Sequence, residues 1–370
     1  MSHHPGIFKP LPARYFCHPE EGGATNVETR LSRLPGYLTP NRQFFVRSHF
    51  DIPELEAADW RLTLTGDALS REHSLRLADL ERLPRVSVIR AIECAGNARA
   101  CFARDFGTAA EGAQWGQGAV GVAEWSGVRL RDVLALAGLE DGAFHVLPEG
   151  LDSGRFARPL PIDKALADDT IVALAMNGEP LPIDHGFPAR LVVSGWLGAA
   201  SVKWLGRLEV SRDALNTYWN TQDYTLAGPD YPAEGEADGI PITTMPVMSL
   251  VDLEDDARLG AGDTILRGRA LSGEGQITAV ECRLDDGAWQ NATLHTPNIA
   301  GAWVCWSLTC QLDAGHHVLQ VRARDDRGHE QPDSMIWNDH GCLYNAVTRV
   351  TFYADDREAD CQPQERLTSL

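Results

Sequence analysis

Hydrophobic periodicity disappears between residues 225 and 245. There Gly228-Pro-Asp-Tyr-Pro-Ala-Glu-Gly-Glu-Ala-Asp-Gly-Ile-Pro241 is dominated by proline, glycine and acids. A continuous core cannot run through such a stretch, so it reads as a linker. The chain has 370 residues, more than one core holds and ample for two. The two sides of the linker also differ in pattern. From Phe44 to Tyr224, strands and helices mix. Trp60-Arg-Leu-Thr-Leu-Thr-Gly66 alternates as a strand does, and Leu75-Arg-Leu-Ala-Asp-Leu80 has helical spacing. Residues 130–138 read as a short helix stopped by glycine, and 189–194 as a strand. Beyond the linker, 264–268, 277–282, 303–308, 317–323 and 347–352 are short strand-like runs. Turn signals at Asp285-Asp-Gly287, Asp313-Ala-Gly315 and Asp325-Asp-Arg-Gly328 separate them, which is the spacing of an all-β sandwich. The expected architecture is an α+β domain over 41–240 and a β-sandwich over 241–370. Residues 1–40, rich in proline, glycine and polar residues, are expected to form an arm that wraps the body.

The formal net charge is −19. Phosphate backbones attract a basic stripe, so no nucleic-acid partner is expected. Basic residues inside an acidic chain are more informative, because they can focus an anion into one cleft. No apolar run approaches the ~20 residues that span a bilayer, so no membrane partner is expected. The start, Met1-Ser-His-His-Pro-Gly6, has neither a basic and apolar leader nor a twin arginine. The expected location is cytoplasmic, or periplasmic if the N-terminus was trimmed. Eight cysteines stand at 17, 94, 101, 282, 305, 310, 342 and 361, none in C-x-x-C spacing. In a reducing compartment most are small hydrophobes.

Cys94 is the sharpest exception. It follows an apolar run (Val86, Val88, Ile89, Ala91, Ile92) and precedes the turn-forming Ala95-Gly96-Asn97. It reads either as a core cysteine or as a rigidly held thiolate facing a pocket. Arg90 and Arg99 lie close in sequence, and cations favour the thiolate that binds a metal or attacks carbon. In Phe44-Phe-Val-Arg-Ser-His-Phe50, Arg47 and His49 are two apart, so an extended strand puts both on one side. They make either an anion contact or a strand edge. Asn177-Gly178 marks a turn, and His185-Gly-Phe-Pro leads to a strand carrying Arg190, with prolines fixing the loop. Lys203 sits between Val202 and Trp204 and either snorkels or meets a buried anion. Tyr218-Trp-Asn-Thr-Gln-Asp-Tyr224 reads as packing at the end of a domain.

In this order the segments resemble the sulfite oxidase family of molybdenum enzymes, over nearly the whole chain from about Phe44 to Val350. The family's Cys-Ala-Gly-Asn-Arg-Arg is similar to Cys94-Ala-Gly-Asn-Ala-Arg99. Its Asn-Gly-Glu-Pro-Leu-Pro and Asp-His-Gly-Phe-Pro-x-Arg fall within Asn177 to Arg190, and Ser201-Val-Lys-Trp-Leu205 is intact. Glu124-Trp-Ser-Gly-Val-Arg-Leu-Arg-Asp-Val-Leu134 matches a further segment. Trp337-Asn338, Gly341, Asn345-Ala346 and Arg349-Val350 resemble the closing segment of the family's dimerisation domain. The resemblance implies a molybdopterin-binding domain followed by an immunoglobulin-like dimerisation domain, and therefore a twofold homodimer.

The resemblance further implies a molybdenum–molybdopterin cofactor with Cys94 on the metal, which suits a soft thiolate. Arg47, His49, Asp152, Ser153, His185, Arg190, Ser201, Lys203 and Leu205 would hold the pterin and its phosphate. Arg47, Arg99, Tyr224 and His340 would form the catalytic pocket for an anionic substrate, and Trp115 is expected to line it. The implied reaction is two-electron oxidation of sulfite to sulfate, with electrons passing to an external cytochrome, another carrier or oxygen. Three positions depart from the family pattern. Ala98 replaces the first arginine of the usual pair, Ala200 stands where many relatives carry arginine, and His340 stands where animal members have a further pocket arginine. These leave open another small sulfur or nitrogen oxyanion, or a sulfoxide, as substrate. His4-Pro-Gly6 resembles a haem-binding motif without the module that carries it, so no haem is expected. Readings from other classes are a non-catalytic binding protein, a cysteine-nucleophile hydrolase and a zinc site. The last lacks clustered ligand spacing.

Overall fold

The computed structural model describes residues 7–19 and 25–356. The first half is built on two sheets. In one, Arg85–Glu93 pairs antiparallel with Val120–Arg129, which pairs with Thr170–Met176. Thr170–Met176 (TIVALAM) is almost uniformly apolar and buried, as a strand covered on both faces must be. Arg190–Val193 pairs with its other edge and sets Arg190 opposite Ala173. The second sheet runs in the order His73–Leu75, Leu62–Thr65, Leu205–Ser211, His145–Gly150, Leu160–Pro161. The alternation of Leu62-Thr-Leu-Thr65 appears as alternating burial, with both leucines fully enclosed.

The described helices are short, and the longest α-helix among them, Ala100–Phe106, has 7 residues. The helix expected over 130–138 is Leu130–Ala135, and Gly138 lies beyond it at φ +71°. The one expected over 75–80 is confined to Leu77–Leu80, because Leu75 ends the strand His73–Leu75. No described helix is long and apolar enough to cross a membrane.

Two segments differ from the sequence reading. The arm does more than wrap: Thr25–Thr29 pairs with Val46–Ser48 and puts Asn26 opposite Arg47. The linker is ordered at its ends, where Thr225–Leu226 pairs antiparallel with Ile240–Pro241. Thr225 and Ile242 are buried, so the proline-, glycine- and acid-rich residues form an excursion pinned at its base.

The second half is a β-sandwich. One sheet is Met248–Val251, Gly262–Leu271, Trp303–Leu312 and Thr293–Leu294. The other is Ala257–Gly260, Thr348–Asp355, Gly315–Asp325, Ile277–Leu284 and Gln290–Asn291. Alternate residues of Gly315–Asp325 (Val318 excepted from the inner row, with His317, Leu319, Val321 and Ala323 inside) face the core with Val280, Trp306 and Phe352. The segment before the last strand returns to the first half. There Leu343 N–H donates to Ala95 (2.8 Å), Asp339 N–H to Ala227 (2.8 Å), and Tyr344 packs on Phe102.

The sandwich core generates a stability prediction. Leu319→Ala should lower the stability of this half by about 2–5 kcal/mol, read as a lower denaturant midpoint at unchanged slope. A midpoint equal to wild type would show that Leu319 does not pack as described.

Candidate functional site

Only the end of the strand Arg85–Glu93 is fully buried, at Ala91, Ile92 and Glu93, and Cys94 follows it directly. Cys94 N–H donates to the Ala119 carbonyl (2.9 Å), and its own carbonyl accepts from Asn97 N–H (3.0 Å). The Asn97 side chain ties the turn down. Its Nδ2 donates to Glu93 Oε1 (2.9 Å), and its Oδ1 accepts from Ala119 N–H (3.0 Å). The thiol therefore stands on a rigid corner where two cavities meet, the first lined by His185, Arg190 and Lys203 (about 80 Å³) and the second by Arg99, Trp115 and His340 (about 180 Å³). Burial raises the Cys94 pKa, and Arg47 and Arg99 offset this only in part. This corrects the expectation that neighbouring cations make a free thiolate. Arg90 contributes nothing to it, being turned away to pair with Asp169 (3.1 Å).

The first cavity has a cationic floor. Arg190 is buried, and its donors go to backbone carbonyls of His185 (3.2 Å), Ser201 (2.9 Å) and Leu191 (3.3 Å), with the guanidinium over the Trp125 ring. Lys203 Nζ donates to Ser48 Oγ (2.6 Å) and to the carbonyls of Arg47 (3.0 Å) and Asp184 (3.1 Å). Burial lowers Arg190 to about 9 and Lys203 to about 7. Carbonyls orient these cations without neutralising them, so an anion in the cavity would relieve a real desolvation cost. Lys9, from the arm, adds a third cation. Its backbone N–H and that of Phe8 bind the Asp184 carboxylate (3.1 and 2.9 Å), and its ammonium donates to the Phe44 carbonyl and to His185 Nε2. His185 is held neutral by burial and the surrounding cations, and also bonds the Asn41 backbone. Its Nε2 is thus engaged by Lys9, and its ring lines the cavity.

The second cavity is the mouth; it shares Arg47 and Tyr224 with the first, and a hydrogen-bond relay joins the two through His49, which lines the first. Arg47 Nη2 contacts His49 Nδ1 (3.0 Å), and His49 Nε2 contacts the Tyr224 hydroxyl (2.7 Å). A guanidinium can only donate, so Nδ1 must be the acceptor. Burial first, then Arg47 and Lys203, hold His49 down to about 2, so it is neutral with its proton on Nε2. That proton is donated to the Tyr224 oxygen, which leaves the phenol's own O–H to point at a ligand. Burial also keeps Tyr224 protonated.

Arg99 lies in a cage of glycines. Side-chain carbons built on Gly96, Gly112 and Gly341 would come within 2.6, 2.8 and 2.8 Å of it. Its Nε donates to the His340 carbonyl (2.9 Å) and Nη1 to Ala113 (3.0 Å), while Nη2 lies 3.8 Å from Cys342 Sγ. Trp115 and His340 line the same mouth, as expected, but the carbonyl of His340 is what orients Arg99.

The structure gathers Arg47, His49, Cys94, Asp152, His185, Arg190, Ser201, Lys203 and Tyr224 around the first cavity. Ser201 Oγ accepts from Val193 N–H (3.1 Å), and Asp152 Oδ1 accepts from Phe156 N–H (2.8 Å). Ser153 and Leu205 are outside the described lining. Ser153 is exposed and accepts from Asp51 N–H (3.2 Å). Leu205 is buried in the core, where its carbonyl accepts from Trp60 Nε1 (2.9 Å). Ala98 and Ala200 are fully enclosed. His4-Pro-Gly6 lies outside the described residues. Sequence reasoning missed Lys9, Arg158 and Cys342. A lysine inside an arm and a cysteine far along the chain give no local signal, whereas Arg158 sits between the enclosed Phe156 and Leu160 in a run that reads as buried.

These residues fit a pterin cofactor with a terminal phosphate and a metal that takes one protein thiolate. The cationic floor has orienting carbonyls, and Cys94 faces the same cavity. Among the described residues no group of three or more His, Cys, Asp or Glu could hold a metal by itself.

The chain is similar to several known proteins. Residues 49–219 match the family model of the oxidoreductase molybdopterin binding domain, and 240–355 that of the Mo-co oxidoreductase dimerisation domain. The chain is 38% identical over 336 residues to mitochondrial sulfite oxidase of Mus musculus, covering 85% of this chain and 61% of that protein. To sulfite oxidase of Gallus gallus it is 38% identical over 335 residues, covering 85% and 72%. A nitrate reductase [NADH] of Ulva prolifera is 33% identical over 368 residues, covering 90% and 42%. The solved sulfane dehydrogenase SoxCD of Paracoccus pantotrophus superposes with a TM-score of 0.82 at 29% identity, covering 94% of this chain and 92% of that one. With both domain models matched in sequence and sulfite oxidases among its relatives at 38% identity, the chain belongs to the sulfite oxidase family of molybdopterin-dependent oxidoreductases.

Proposed function

We propose that this protein oxidises sulfite to sulfate at a molybdenum–molybdopterin centre and passes the electrons to an external acceptor. The observation that carries this reading is the position of Cys94, at the meeting of a cavity with a cationic floor and a mouth lined by Arg47, Arg99 and Tyr224. When bound, the cofactor supplies two-electron oxidation coupled to oxygen-atom transfer. The chain's residues supply the rest. Arg190 and Lys203, backed by Lys9, hold the terminal phosphate. Cys94 is the protein ligand, and its raised pKa means that metal binding must displace its proton. Arg47 and Arg99 present fixed guanidinium donors to a tetrahedral oxyanion, and Tyr224 adds an O–H freed by His49. The indole of Trp115 walls the mouth and limits water.

A second reading keeps the cofactor and changes the substrate to another small sulfur or nitrogen oxyanion or a sulfoxide. It is favoured by the similarity to a nitrate reductase and to a sulfane dehydrogenase, and by His340 in the mouth. The partner inferred from the C-terminal half is a second copy of the chain, through the domain that matches a dimerisation family.

The protein isolated from a molybdenum-replete host should show a thiolate-to-metal visible band that bleaches on anaerobic addition of sulfite. Cys94→Ser should lose both the band and most of the bound molybdenum. A wild-type band that survives sulfite sends the assignment to the second reading, and no band with no metal sinks both.

Tyr224→Phe removes one hydrogen bond to a charged substrate. It should lower kcat/KM for sulfite about 10- to 150-fold at unchanged molybdenum content. Wild-type kinetics in that variant would remove Tyr224 from the site. Light scattering should give twice the chain mass of 40.5 kDa; a mass of one chain would refute the homodimer.

A further inference from the structure

Arg158 is only 2% exposed, yet it belongs to none of the roles described above. One of its nitrogens, Nη2, donates to the Ile242 carbonyl. The other, Nη1, is buried and has no hydrogen-bond partner among the described residues. An apolar side chain at this place would avoid the cost of burying a cation with an unused donor. The charge is therefore kept for something it faces.

What it faces is Tyr224. The guanidinium carbon stands 5.0 Å from the centroid of the Tyr224 ring. A closed loop of contacts fixes the pair. Ile242 N–H donates to the Tyr224 carbonyl (3.0 Å), the Ile242 carbonyl accepts from Arg158, and Arg158 covers the Tyr224 ring. The other side of the phenol is bound through its oxygen to His49 (2.7 Å). Asp223 and Cys342, which line the mouth with Tyr224, are also within electrostatic reach of Arg158. Arg158 itself lines neither cavity, so it does not touch a bound ligand.

We propose that Arg158 is a positioning residue for oxyanion binding, clamping Tyr224 by a cation–π stack and the Ile242 carbonyl so that the phenol O–H is presented to the ligand. The cation on the ring face draws electron density from the phenol and makes its O–H a stronger donor. The clamp also anchors the ribbon Thr225–Leu226 with Ile240–Pro241, which starts at the residue after Tyr224. This inference rests on the reading of the mouth as a small-oxyanion site.

The test compares wild type, Arg158→Met, Arg158→Lys, Tyr224→Phe and the Arg158→Met/Tyr224→Phe double variant. Calorimetric binding of sulfate to the isolated protein is read beside sulfite KM and kcat, molybdenum content and melting temperature. Arg158→Met should weaken sulfate binding and raise KM about tenfold, the ratio that a desolvated cation–π contact supports, with kcat changed far less. Arg158→Lys keeps the charge but loses the planar stack, and should fall between the two. In the Tyr224→Phe background Arg158→Met should have little further effect, because both act through one hydroxyl. Wild-type sulfate affinity in Arg158→Met, or an undiminished loss in the double variant, overturns the proposal. If Arg158→Met does not fold, wild-type affinity in Arg158→Lys overturns it instead. A wild-type protein that neither binds sulfate nor oxidises sulfite would count against the functional reading rather than against the clamp.

Discussion

Cations held by backbone carbonyls rather than by carboxylates are the constraint on which this structure is arranged. Arg190 is bound by three carbonyls, Arg99 by those of His340, Gly341 and Ala113, and Lys203 by two and a hydroxyl. A carboxylate would cancel the charge as well as fix the side chain. A carbonyl fixes it and leaves the charge to be used. The carbonyls must then come from loops that are themselves immobile. That requirement explains the stapled turn after Cys94, the proline-flanked loop through His185, and the return of 337–345 to the first half.

The mouth is consequently built by segments far apart in the chain. Arg99 and Trp115 come from the first sheet's connections, Tyr224 from the base of the linker ribbon, and His340 and Cys342 from the approach to the last strand. The glycine cage around Arg99 uses two of these regions, with Gly96 and Gly112 from the first and Gly341 from the last each leaving room that a side chain would fill. The sandwich therefore has a part in the site besides its match to a dimerisation family, because it anchors the segment whose carbonyls hold Arg99.

The relay from Arg47 through His49 to Tyr224 shows how direction arises from chemistry that is simple at each atom. A guanidinium donates only, a neutral imidazole has one acceptor, and a phenol both accepts and donates. Once His49 is buried among cations and kept neutral, the order of donors is forced, and the last free proton lies at the mouth. The guanidinium of Arg158 lies over the ring of the same phenol.

Much of this was legible in the residue order. The change from mixed to strand-only patterning divided the chain, because strand spacing and turn residues are local properties. The short motifs around Cys94, His185 and Lys203 marked the pocket, because tight turns and close backbone approach require particular residue types at fixed spacing. The pairing of Arg47 with His49 followed from the period of an extended strand. Local pattern misjudged the linker, whose ends form a ribbon, and the acidity of Cys94, where burial outweighs the cations. It was silent on Lys9, Arg158 and the cage around Arg99. Each of these depends on what a side chain meets after residues more than 60 positions apart come together, as Arg158 meets Ile242 at a separation of 84. Sequence by itself determined which groups could do the chemistry and in which loops they sit. Tertiary structure alone decided which charges stay unneutralised and which way each proton points, because desolvation and hydrogen-bond direction are set by neighbours in space.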